Sequence, residues 1–91
     1  MTIKDVLTEL GINKNGTYSR DGSFVIDLEE DSNEFGKIYS ILDKNPDVEY
    51  MESNSLLTID NSSLYYKYKD FQINILADFN NDEYKVVIAR L

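Results

Sequence analysis

The chain predicts a single α+β domain over residues 1–91, two short helices packed on one face of a mostly antiparallel sheet, in the order α-β-β-α-β-β-β-β. Three observations carry this expectation. Two segments repeat apolar residues at helical spacing. The other apolar residues largely alternate with polar ones, as in half-buried strands. Short polar turn dipeptides separate those alternating segments. Ninety-one residues allow one core and little spare stability for a deep enclosed cavity. An apolar fraction of 42% is enough to fold that core despite the charge.

The first helix is read in "TIKDVLTELGI". Ile3, Val6, Leu7 and Leu10 form one apolar stripe. Thr2 is placed to cap it, Asp5 favours the positive helix end, and Gly11 can take the left-handed position that closes it. Asn15-Gly16 and Asp21-Gly22 are turn dipeptides that tolerate positive φ, and Asp21-Gly22 joins "TYSR" to "SFVIDL" as a hairpin. In the second arm, Phe24, Ile26 and Leu28 form the buried side.

The second helix is read in "DSNEFGKIYSILDKNPD". Phe35, Ile38, Ile41 and Leu42 share a face, with Tyr39 at its edge, and Asn45-Pro46 ends it. Asp31 or Ser32 can cap it, and Glu34 stands at the capping-box spacing from Asp31. "VEYME" and "SLLTI" then form either a hairpin through Ser53-Asn54 or one long strand. "SLYYKYK" and "FQINILA" flank a tight turn at Lys69-Asp70, and "DFNNDE" is a polar loop leading to "YKVVIARL".

Composition thins out most chemistry. With no cysteine there are no disulfides and no thiolate catalysis, and with no histidine the commonest metal ligand and neutral-pH base are missing. An EF-hand reading of "DFNNDEYKVVIA" has Asp78, Asn80 and Asp82 at loop positions 1, 3 and 5. It fails where glycine and glutamate are required, at Glu83 and Ala89. Started at Asp27, the same pattern meets Ser32 and Ile38 at those positions. The four glycines never take phosphate-loop spacing. The expectation is a non-enzyme without metal or cofactor. The longest apolar runs, such as Asn74–Ala77 and Val86–Ala89, are too short to cross a bilayer, and "MTIKDVLTEL" lacks signal-peptide character, so a cytoplasmic location is expected.

Charge is the informative feature. Residues 1–60 carry 13 acids and 5 bases, whereas residues 61–91 carry 4 of each. The stretch from Asp27 to Glu34 holds five acids and no base. Such a field repels nucleic acid and anionic lipid and attracts basic surfaces. "LYYKYKDF" interleaves Tyr65, Tyr66 and Tyr68 with lysines, a pattern that single-strand binders use for base stacking. The acidity of the rest of the chain favours instead Tyr66 and Tyr68 packing on the helices, or an interface role for the tyrosines. Asp31, Ser32 and Glu34 suit a helix start. Glu29 and Glu30 have less to do with folding, and so do Asp47, Glu49 and Glu52, with Asp47 and Glu49 sharing one face of a strand. The candidate partner-binding residues are therefore Asp27, Glu29, Glu30, Asp31, Glu34, Asp47, Glu49 and Glu52.

In size, acidity, lack of Cys and His, and α+β make-up, the chain resembles small phage-encoded inhibitors, including anti-CRISPR proteins and other DNA mimics. The resemblance is one of composition over the whole chain and assigns no residue roles. It implies a partner that is a basic, nucleic-acid-binding protein of host defence or regulation, inhibited by occupation of its nucleic-acid site. The same acidic surface would suit an immunity protein that neutralises a basic toxin such as a nuclease. A non-enzymatic adaptor and a small hydrolase using carboxylates are the further alternatives.

Overall fold

In a computed structural model the protein is an α+β domain with both helices on one side of a largely antiparallel sheet. The structure describes residues 1–29 and 31–91, with Glu29 described by its backbone alone. In chain order the elements are α1 (Ile3–Leu10), β1 (Thr17–Tyr18), β2 (Phe24–Glu29), α2 (Ser32–Lys44), β3 (Glu49–Tyr50), β4 (Leu56–Leu57), β5 (Asn61–Tyr68), β6 (Phe71–Asp78) and β7 (Glu83–Arg90). The sheet runs β1-β2-β7-β6-β5-β3, with β4 also paired to β5. All the described pairings are antiparallel.

Register explains the core. Tyr66, Ile73, Ile88 and Phe24 form one row across four strands, and Leu64, Ile75, Val86 and Ile26 form the next. Because paired residues in a sheet share a face, both rows point the same way. The helix stripes, Ile3, Val6, Leu7 and Leu10 from α1 and Ile38 and Leu42 from α2, complete the same buried cluster. The opposite face carries Val25, Tyr65, Leu76 and Val87, all half-buried. Asn74, a polar residue on that opposite face, is buried. Its amide Nδ2 donates to Ser63 Oγ at 3.2 Å and to the Leu64 carbonyl at 3.1 Å, which makes that burial tolerable.

The helix ends match their sequence signals. Thr2 Oγ1 accepts from Asp5 N–H at 3.2 Å while Asp5 Oδ2 accepts from Thr2 N–H at 2.8 Å, a closed capping box. Gly11 ends α1 at φ 77°. Asp31, rather than Ser32, caps α2, accepting from the Asn33 and Glu34 N–H groups at 3.1 Å. One expectation changes, and one open alternative is decided. Gly16 is not a positive-φ turn residue. It lies flat against β2, where an added Cβ would collide with the Val25 carbonyl and stand 2.8 Å from the Phe24 ring. And "VEYME" with "SLLTI" is not a hairpin. β3 and β4 both run antiparallel to β5, from Lys67 down to Ser62, as one edge strand interrupted by a 3-10 turn at Glu52–Asn54.

The β1–β2 connection is organised by Asp21. Its carboxylate accepts from the Ser19 and Ser23 hydroxyls and from Ser23 N–H. These bonds, the one from Ser19 first, hold the Asp21 carboxyl down at about 2 instead of the ordinary 3.8. A folded value below the unfolded one means that the turn's contribution is complete above about 3.8 and is lost as pH falls towards about 2. Carbon-detected NMR titration should place the Asp21 midpoint near 2. Asp21→Asn should make stability fall less steeply across that window, and an Asp21 midpoint near 3.8 would count against this description of the turn.

Candidate protein-binding site

The structure distributes those sequence-predicted acids that lie among the described residues over two separate regions. Asp27 lies on β2, in register with Lys85, and is exposed on the face opposite the helices. Glu29 ends β2; its side chain and all of Glu30 lie outside the described residues. Asp31 is occupied as the α2 cap. Glu34 is clasped by Lys14 at 3.4 Å and Lys37 at 3.5 Å.

The other three acids stand at the far edge. From β2 to β3 the sheet crosses β7, β6 and β5, about 19 Å at the usual strand spacing of roughly 4.8 Å. Asp47 was expected to share a strand face with Glu49. It lies instead in the turn after α2, its N–H bonded to Asn45 Oδ1 at 2.9 Å, because Asn45-Pro46 delays the strand until Glu49. Glu49 sits opposite Lys67, yet no salt bridge closes between them; Glu52 begins the 3-10 turn. Asp47, Glu49 and Glu52 are exposed and form no ion pair with a described residue.

Beside this acidic edge the structure reveals a feature that the sequence reading did not single out. A groove of about 440 Å³ lies between α2 and the β3–β4 edge. Its walls include Phe35 and Tyr39 of α2, Tyr50 of β3, Leu57 of β4, Tyr66 of β5 and Phe79 of the β6–β7 loop. Tyr39, Tyr50 and Phe79 are each more than two-fifths exposed, and Leu57 is 73% exposed. Asp43, one α2 turn beyond Tyr39, is the single charged residue among the described residues of the lining. Tyr50 and Tyr66 pack with ring centroids 5.3 Å apart. Burial, then the nearby Tyr39, Asp43 and Tyr50, push the Tyr66 phenol up to about 12. A signal for the groove did exist in the sequence: Tyr39 at the edge of the helix stripe, and the adjacent apolar pair Leu56-Leu57 in an otherwise polar stretch.

The tyrosine strand resolves in favour of packing. Leu64, Tyr66 and Tyr68 are buried under the helices, while Tyr65 is half-buried and Lys67 exposed on the other face. Tyr68 donates its hydroxyl to Glu9 of α1 at 2.6 Å, and Lys69 bonds the same carboxylate at 2.8 Å, fastening α1 to the β5–β6 turn. Lys69 and Tyr68 together hold the Glu9 carboxyl below its usual range. In "DFNNDE", Asp78 accepts from the Asn80 and Asn81 backbone N–H groups and from the Asn81 amide, so its oxygens organise the β6–β7 turn. Among the described residues no three acidic side chains converge as a metal site. No helix among them is long and apolar enough to cross a membrane. The chain matches no family model, no curated protein and no solved structure.

Proposed function

We propose that the protein binds a basic, nucleic-acid-binding protein through the acidic edge formed by the end of α2, β3 and the 3-10 turn, and keeps nucleic acid out of that partner's groove. The observation that carries this reading is the set Asp47, Glu49 and Glu52, exposed and without an ion pair among the described residues, with Asp43 close by in sequence. Surface acids that serve the fold find a cap or a cation, as Asp31, Glu34 and Glu9 do here. Asp47, Glu49 and Glu52 have no such duty among the described residues. Carboxylates spaced along a folded edge oppose the lysines and arginines that duplex DNA, with one charge per roughly 1.7 Å of axis, would otherwise occupy. Their long-range attraction also speeds encounter.

The test is capture from a bacterial lysate on the immobilised protein, with the bound proteins identified by mass spectrometry. The expected result is retention of nucleic-acid-binding proteins at low salt. Added duplex DNA should displace them, and so should a rise in ionic strength from about 0.05 M to about 0.5 M, which shortens the screening length several-fold. Bound proteins that resist both treatments would overturn the proposal and indicate a hydrophobic interface. Retention of a toxin at a site other than its nucleic-acid groove would also overturn it, in favour of an immunity role.

A further inference from the structure

The geometry points to the groove between α2 and the β3–β4 edge as a pocket for one arginine side chain of the basic partner, its guanidinium placed against the Tyr39 and Tyr50 rings and bonded to the Asp43 carboxylate and the Tyr66 hydroxyl. The inference rests on the proposed partner class and names how that partner is anchored. Four observations support it.

The groove is aromatic on several sides, and aromatic faces attract cations, arginine above all because its planar group also stacks. Among the described residues its one charged lining residue is an acid, Asp43, which has no ion pair with another of them, so the charge complements a cation. Tyr66 is only 2% exposed and Ser62 only 3%, yet neither hydroxyl has a hydrogen-bond partner among the described residues. Neither is sealed off, since no fully buried side-chain oxygen or nitrogen there lacks a partner. The Tyr66 and Ser62 hydroxyls thus line the groove without a protein partner among the described residues, and both are free to bond a polar group that enters it. The volume also suits this occupant. About 440 Å³ falls in the range of ligand sites and holds an arginine with part of the chain on either side.

A lysine would satisfy the charge but not the planar stacking or the forked donor geometry. An apolar side chain would leave the Asp43 carboxylate and the Tyr66 hydroxyl facing hydrocarbon.

The test titrates isotope-labelled protein with N-acetyl-arginine amide, with its lysine counterpart, and with the citrulline counterpart, which keeps arginine's shape without its charge. The expected result is chemical-shift change confined to Tyr39, Asp43, Tyr50 and Tyr66. Arginine should bind more tightly than lysine, and citrulline several-fold more weakly than either. Asp43→Asn, at an exposed position, should weaken arginine binding about tenfold, as loss of a charge-assisted hydrogen bond implies. Tyr50→Leu, which keeps the wall apolar but removes the ring, should erase the preference for arginine over lysine. Equal binding of citrulline, or shift changes spread over all surface acids, would overturn the pocket. If the pocket fails while DNA-displaceable capture persists, the acidic edge acts without it. If the pocket binds arginine amide but no DNA-displaceable protein is captured, the proposed partner class is wrong and the pocket stands.

Discussion

Replacing Ile75 with alanine is expected to destabilise the domain by about 2–5 kcal/mol, the usual range for emptying a packed aliphatic site. Ile75 is fully buried and sits in the middle strand of the sheet, with Leu64 on one side and Val86 on the other. Strands hydrogen-bonded on both sides cannot slide inward to fill the space that three lost carbons leave. A domain of this size has about 5–15 kcal/mol in total, so the variant should lose a large share of it. Urea unfolding should show a lower midpoint with an unchanged slope. Val87→Ala offers the contrast. Val87 neighbours Ile88 and Val86 in sequence but points to the half-buried face without helices, and its truncation should cost about 1 kcal/mol. Similar losses at both positions would mean that the two faces of the sheet are not as different as described.

The second large effect concerns binding. The combined substitution Asp47→Lys, Glu49→Gln and Glu52→Lys should weaken capture of the nucleic-acid-binding partner by about 100-fold or more, since like-charge juxtaposition at an interface costs several kcal/mol. Glutamine is chosen at Glu49 because a lysine there would face Lys67 across the strand pair and add a repulsion unrelated to binding. All three positions are exposed and form no ion pair with a described residue, so thermal stability and circular dichroism should stay close to those of the parent. Unchanged binding by the triple variant would remove the acidic edge from the mechanism. Reversal at Glu34 makes a poorer test. It would bring a third cation to Lys14 and Lys37, and any loss of binding could then come from a damaged α2 start.

The sequence made the two helices legible because their signals are local. Thr2 with Asp5, Gly11, Asp31 and the Asn45-Pro46 stop each act within one turn of chain. The strand faces were legible for a related reason, since period-two alternation needs no knowledge of the partner strand: Phe24, Ile26 and Leu28 are buried, and so are Tyr66 and Tyr68. Asn15-Gly16 misled because glycine has two uses. Here its missing side chain lets the backbone lie against Val25 and Phe24, and left-handed backbone is not involved.

The candidate site was only half legible, and the reason is distance. A run of acids reads as one surface when it is close in sequence, but Asp27 and Glu49 belong to strands with three others between them. Nothing local announces that β2 and β3 stand apart, or that α2 carries the chain from one side to the other. The groove shows the same limit from the other direction. Tyr39, Tyr50, Leu57, Tyr66 and Phe79 come from five separate elements and loops, and only the antiparallel register of β3, β4 and β6 against β5 brings them together. What the sequence by itself determined was the charge, the lack of cysteine and histidine, the element types and the apolar side of the main strands. Those follow from residue identity and short-range periodicity. Tertiary structure alone decided which acids already have a partner and where aromatic surface is left uncovered, because both depend on contacts between residues far apart in the chain.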